Sequence, residues 1–201
     1  MRSAAPFLGC LSAAFMMTFV GPALAQHGTV SVLIQTELGD IQVDVDTIKA
    51  PLTARNFLRY VDAGFYGGGE FHRTVKLDNQ PNNKVLIEVI QAGINPKNEQ
   101  RSSPPLELER TSVTGLLHKN GTISMARGTP NSATSDFFIC IDDQPSLNFG
   151  GKRNPDGQGF AAFGQVTKGM EIVKKIQASP AVGQKLVPPI KILAGYRIPA
   201  K

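Results

Sequence analysis

Three consecutive side chains, Phe71, His72 and Arg73, follow the glycine run Gly67-Gly68-Gly69. If Glu70 to Val75 is a strand, alternation puts Phe71 and Arg73 on one face and His72 on the other. A guanidinium on the same side as a phenyl ring is costly in a closed core and sensible in a groove. The plain alternative is an edge arginine that snorkels to water. Two further stretches favour the groove. Ile90-Gln91-Ala92-Gly93 supplies a neutral amide after an apolar strand, and Ser135-Asp136-Phe137-Phe138-Ile139 supplies a strand with paired aromatics. Residues for other chemistries are scarce. His27, His72, His118 and the cysteines show no spacing of a metal-ligand set, so no metal is expected. Cys140 lies in an apolar strand and reads as a buried, inert thiol. The glycines of 150–157 lack the strand-to-helix setting of a phosphate cradle, which argues against nucleotide binding, and no cofactor is expected.

The elements that must hold these residues are mainly strands. Thr29 to Thr36 alternates with Val30, Val32 and Ile34 on one face, and after the Leu38-Gly39-Asp40 turn Ile41, Val43 and Val45 alternate likewise, a hairpin. Pro51 suits a first helical turn, and Ala54, Phe57, Leu58 and Val61 recur at helical spacing, so a helix is expected from Pro51 to Ala63. A polar loop spans 76–84, an apolar strand runs from Val85 to Ile90, and the Pro-containing stretch 92–112 reads as a long surface loop. Gly121 to Ala126, Asp136 to Ile141 and Phe160 to Val166 are further strands. Gly169 to Gln177 is a helix stopped by Pro180, and Pro188 to Ile198 closes the chain as a strand. Strands and helices do not alternate, which argues for a mainly β fold, an antiparallel barrel of about eight strands with two α-helices.

The 201 residues, 41% hydrophobic and 18% charged, suffice for one domain, expected over 26–201. Residues 1–25 are set apart from it. Arg2, an apolar run from Phe7 to Val20 and Ala23-Leu24-Ala25 form the pattern of a secretory signal peptide cleaved before Gln26. An uncleaved anchor is the weaker reading, because Gly9, Gly21 and Pro22 leave a short span. No stable membrane insertion is expected after cleavage, and export points to the periplasm of a two-membrane bacterium. The formal charge of +5 comes from basic residues scattered among acidic ones without a stripe, so no nucleic-acid partner is expected.

With Gly121-Thr122-Ile123-Ser124-Met125-Ala126-Arg127, the motifs above arrive in the order found in the cyclophilin-type peptidyl-prolyl cis-trans isomerases, and the chain resembles that family from about Thr29 to Ile176. The resemblance implies a closed eight-stranded antiparallel barrel capped by two helices, and catalysis of X–Pro rotation by a monomer acting on proline-containing polypeptides during folding of exported proteins. It implies Arg73 as the catalytic cation and Gln91 as the amide that orients it. It implies an apolar proline socket of Val89, Phe138 and Leu147 with Phe71 and Phe160 beside them, and His72 on the rim. Backbone groups near Ala126 and Arg127 would hold the peptide preceding the proline.

Three positions depart from the family's common pattern. Glu88 stands where a pocket Phe is usual, Asp136 where a Gln contacts the peptide, and Ser146 where an aromatic precedes the Leu. A more polar, weaker pocket is therefore expected, with Asp136 either at the peptide or paired with Arg73. The aromatic missing at Ser146 is associated in the family with cyclosporin binding, so weak sensitivity to that drug is implied. Glu88 and Asp136 also support the alternative of a non-catalytic proline-peptide-binding or chaperone module on the same scaffold. A structural envelope protein finds no support in repeats or coiled coil.

Overall fold

The computed structural model describes Met1 and residues 28–199. The leader expected over 1–25, with Cys10, and also Gln26 and His27, lies outside the described residues apart from Met1. Among the described residues nine strands occur in chain order: β1 (Thr29–Thr36), β2 (Gly39–Asp46), β3 (Glu70–Val75), β4 (Val89–Gly93), β5 (Thr122–Met125), β6 (Phe137–Cys140), β7 (Ala161–Lys168), β8 (Ala181–Val182) and β9 (Lys185–Arg197). Every pairing is antiparallel. The order β1-β2-β7-β5-β6-β4-β3-β9 closes through a β9–β1 pairing into an eight-stranded barrel, and β8 is a two-residue spur on β9. Helices α1 (Pro51–Asp62) and α3 (Met170–Gln177) pack on the barrel, and a single turn, α2 (Thr111–Thr114), lies in the long loop.

Alternation explains the hairpin. Val32, Ile34, Ile41, Val43 and Val45 point inward and are buried, while residues between them are at least partly exposed. The inner core is closed by α1, whose Phe57 ring lies 5.1–5.6 Å from those of Tyr66, Phe137 and Phe163. Pro51 starts this helix, and the Glu109 carboxylate accepts from the Leu52 and Thr53 N–H groups (3.0 and 2.7 Å), satisfying donors that the first turn leaves open.

Strands β5 and β6 are buried on both faces. Phe137 and Ile139 enter the barrel core, whereas Phe138 and Cys140 join a second cluster with Val75, Ile87, Val89 and Leu147. This outer cluster is the floor on which the candidate site stands. Two-sided burial also explains why Phe137-Phe138-Ile139-Cys140 reads as a continuous apolar run.

Strand β3 departs from simple alternation. Phe71 pairs with Ala92, but Arg73 pairs with Gln91, so two steps along β3 match one along β4, with His72 the additional residue of a β-bulge. Adjacent residues of β4 face opposite sides, so Phe71 and Arg73 do too. Phe71 is therefore not on the groove face expected for it: it is fully buried in the barrel core, its ring edge-on to Phe137 at 5.9 Å.

Three boundaries also differ from expectation. The strand expected from Val85 begins only at Val89, because the buried Gln80 side chain donates to the Ile87 carbonyl (2.8 Å) and accepts from its N–H (3.3 Å), taking the place of a neighbouring strand. The stretch 92–112 begins with the last two residues of β4 and contains the Asn95-capped 3₁₀ turn Pro96–Arg101 and the start of α2. The last strand starts at Lys185, three residues before Pro188, as one arm of the β8–β9 hairpin.

Removing the Phe71 ring leaves a cavity in the barrel core beside Phe137. Phe71→Ala is expected to lower the unfolding free energy by about 3–5 kcal/mol in urea denaturation.

Candidate active site

A groove of about 680 Å³ crosses the outer wall of the barrel over β3, β4 and β6. Its apolar end is lined by Ile87, Val89, Ala126, Phe138, Leu147 and Phe160. The rings of Phe138 and Phe160 meet edge to face at 5.3 Å and 89°, an arrangement favoured by aromatic quadrupoles. Beneath them lies His118, stacked on Phe138 at 5.9 Å and 13°. Asn148 Oδ1 accepts from His118 Nδ1 (2.8 Å) and from its backbone N–H (3.0 Å), which leaves Nε2 to accept from the Ser124 hydroxyl (2.9 Å). Burial disfavours the charged ring and lowers its pKa to about 4, the Asn148 bond opposing. The histidine is thus a neutral prop that fixes the back of Phe138. Nothing in its sequence neighbourhood marked it for this role.

Arg73 stands at the side of the socket. Its Nη1 donates to Gln91 Oε1 (2.9 Å), and Nε and Nη2 both donate to Gln184 Oε1 (3.0 and 2.6 Å). Gln184 is held in turn: its Nε2 donates to the Asn79 carbonyl (3.1 Å), and its own carbonyl accepts from Thr74 N–H (2.9 Å). Both acceptors of the guanidinium are neutral amides, so its charge is oriented without being cancelled. Three of its five donors are engaged, which leaves two for a ligand. Desolvation lowers the Arg73 pKa, yet a guanidinium remains charged at any physiological pH. Gln184, in the two-residue turn of the β8–β9 hairpin, is distant in sequence from every motif and was found only through this contact.

The second end of the Gln91 amide donates to Asp136 Oδ2 (3.2 Å), and His72 Nε2 lies 3.7 Å from the same oxygen. A pairing of Asp136 with Arg73 is therefore replaced by a relay in which Gln91 separates the two charges. Asp136 fits here because Gly93 offers no side chain: a Cβ there would stand 2.6 Å from Asp136 Oδ1. Burial raises the Asp136 pKa, while the Gln91 hydrogen bond and His72 oppose that shift. His72 itself is half-buried at the bulge, and the groove lining passes beside it through Gln91 and Asp136.

Arg127 lines the groove with a nearly inaccessible side chain. It binds Asp156 through two N–H···O contacts (2.7 and 2.9 Å), donates from Nε to the Gly159 carbonyl (2.8 Å) and lies 4.9 Å above the Phe160 ring. It clamps the loop 150–159 against the socket. The neighbouring Ala126 N–H is bonded to the Asp136 carbonyl (2.9 Å). Both long loops reach the site, one through Asn83 and the other through Arg153, Asn154 and Pro155. Glu88 does not line the groove: its carboxylate accepts from Gln177 Nε2 at the end of α3 (3.0 Å), and Ile87 occupies the apolar wall instead. Ser146 is half-buried outside the lining, with its carbonyl accepting from Arg153 N–H (3.1 Å). Of the three departures only Asp136 lines the groove, so Glu88 and Ser146 add no polarity to it.

The structure brings Arg73, Gln91, Val89, Ala126, Arg127, Asp136, Phe138, Leu147 and Phe160 to one groove, sets His72 at its edge and leaves Phe71 in the core. Cys140 is buried under the socket, its thiol pushed well above the ordinary range by desolvation, so it supplies no nucleophile.

A family model for cyclophilin-type peptidyl-prolyl cis-trans isomerases matches residues 31–195. The chain is 37% identical over 162 residues to peptidyl-prolyl cis-trans isomerase A of Dickeya dadantii, covering 80% of this chain and 77% of that one. It is 36% identical over 148 residues to peptidyl-prolyl cis-trans isomerase B of Escherichia coli, covering 73% and 83%. A crystal structure of a cyclophilin-type isomerase from Cryptosporidium parvum superposes with a TM-score of 0.68 at 22% identity, over 86% of this chain and 99% of that one, and shows the fold. The chain belongs to the cyclophilin-type peptidyl-prolyl cis-trans isomerases, and its enzyme class is that of the prolyl isomerases.

Because His118 titrates near 4 when folded and near 6.5 when unfolded, the unfolded chain binds more protons between those values. Stability from this group is full above about pH 6.5 and is lost as pH falls towards 4, by about 3 kcal/mol in all. Urea titrations at pH 7 and pH 4.5 are expected to show that loss in the natural chain and a flatter profile in His118→Gln.

Proposed function

We propose that this chain accelerates rotation about X–Pro bonds in exported polypeptides as they fold in the periplasm, and that it acts as a monomer. The amide barrier of about 18–20 kcal/mol arises because the nitrogen lone pair is delocalised into the carbonyl. A donor aimed at the prolyl nitrogen draws off that lone pair. The nitrogen becomes a good acceptor only when the bond is twisted, so the contact strengthens towards the transition state. A rate gain of about 10⁵ needs only about 7 kcal/mol.

The observation that carries this reading is the Arg73 guanidinium, fixed by the Gln91 and Gln184 amide oxygens beside the Phe138 socket with two donors left over. The socket takes the proline ring, and the guanidinium meets its nitrogen. Isomerisation moves no proton, so neither His72 nor Asp136 is needed as an acid or base. A solved Cryptosporidium relative was crystallised in the presence of the dipeptide Ala-Pro, which accords with proline-containing peptides as partners. The exported clients and the periplasm rest on the leader pattern of residues 1–25.

In exchange NMR or a protease-coupled assay on a short X–Pro peptide, Arg73→Ala is expected to lower kcat/KM by about 10²–10³-fold. Gln184→Ala, which leaves the charge but removes two of its anchors, is expected to lose roughly tenfold, mainly in kcat. Activity undiminished in Arg73→Ala would refute the mechanism, and peptide binding with no turnover in the natural chain would favour the non-catalytic module. Mass spectrometry of the protein expressed in a two-membrane bacterium is expected to find it in the periplasm beginning at Gln26.

A further inference from the structure

Besides Arg73 and the carboxylate-paired Arg127, the groove holds a third cation that the rotation mechanism leaves unused. Arg153 lies on the loop 150–159 and lines the same cavity as Arg73. Its Nη1 donates to the Val85 carbonyl (2.6 Å) and its backbone N–H to the Ser146 carbonyl (3.1 Å). The loop is stiff as well, closed by Gly150 N–H to the Gly157 carbonyl (2.7 Å) and clamped through Asp156 and Arg127. Among the described residues no carboxylate lies within ion-pair distance of Arg153 or Arg73. Of the other charges lining the groove, Arg127 is paired with Asp156, and Asp136 is separated from Arg73 by the Gln91 amide, with His72 Nε2 3.7 Å from its Oδ2.

We infer that the groove selects peptides with an acidic side chain next to the proline, and that Arg153 is the residue that reads it. The inference rests on the groove being the proline-peptide site proposed above. Two fixed guanidiniums facing one cavity repel each other and are relieved by an anion. Desolvation first, and then the charge of Arg73, lower the pKa of Arg153. Arg73 is aimed by two amides at the socket, whereas Arg153 has one side-chain bond, to a carbonyl, and most of its fork remains for a carboxylate. A peptide carrying lysine at that position meets both cations and is repelled.

The test uses terminally blocked X–Pro peptides with Glu, Gln or Lys on either side of the proline, with affinity and catalysed exchange both read by NMR. At low salt, Glu is expected to exceed Lys about fivefold or more in affinity and kcat/KM at one of the two positions, with Gln between, and the ratio shrinks in 0.5 M salt. The ratio collapses towards one in Arg153→Gln, inverts in Arg153→Glu and survives in part in Arg153→Lys, each checked for folding by circular dichroism. Equal affinities for Glu and Lys peptides, or a preference unchanged in Arg153→Gln, would overturn the inference. Preferential binding of Glu peptides without turnover of any peptide would leave charge selection standing and remove the isomerase reading.

Discussion

One added residue in β3 governs the site. The bulge at His72 turns Phe71 into the barrel and Arg73 out of it. With regular pairing the two would share a side, and either the guanidinium would be buried among Ile90, Ala92 and Phe137 or the ring would leave the core. An uncompensated charge inside that core would cost several kcal/mol. The bulge resolves this conflict locally and delivers a cation to the outer wall, at the residue paired with Gln91.

What receives the cation is a second, smaller apolar cluster on the outside of the same strands. Because β6 sends Phe137 inward and Phe138 outward, the socket floor inherits the rigidity of the barrel core through one backbone. His118 supports Phe138 from behind, and the Arg127–Asp156 clamp holds Phe160 from the side. The apolar socket is thus built from side chains whose positions are set by packing rather than by a ligand, which suits the pre-organised electrostatic catalysis proposed for it.

The polar arrangement follows the same logic of sparing charge. Arg73 is held by amide oxygens, and the acid nearest to it is kept one amide away. A direct carboxylate would have anchored the guanidinium more strongly but would have taken up the donors that the proposed mechanism reserves for the twisted prolyl nitrogen. Arg127, by contrast, does have a carboxylate, and it serves to hold a loop. The pairing of each arginine therefore distinguishes Arg73, held by amides with donors to spare, from Arg127, which builds the wall, and it sets Arg153 apart from both.

Periodicity in the sequence was enough to place the β1–β2 hairpin and both main helices, because these depend on which residues alternate or recur along a contiguous stretch, while the lack of strand–helix alternation and the family resemblance pointed to the antiparallel barrel. The family motifs likewise brought Arg73, Gln91, Val89 and Phe138 together, since their relative positions are carried by β3, β4 and β6, and added Leu147 from the 3₁₀ turn Pro145–Leu147. Tertiary structure decided the rest. Alternation cannot reveal an added residue in one strand, so the true orientation of Phe71 was hidden. A strand edge can be satisfied by a side chain, so Gln80 shortened β4 invisibly. Gln184, His118 and Arg153 reach the site from turns and loops whose local sequence has no period, and their contacts exist only once distant segments are packed. Short-range pattern sets what each segment is, but the partners of a buried polar group are chosen across the fold, where every donor and acceptor removed from water must find its match.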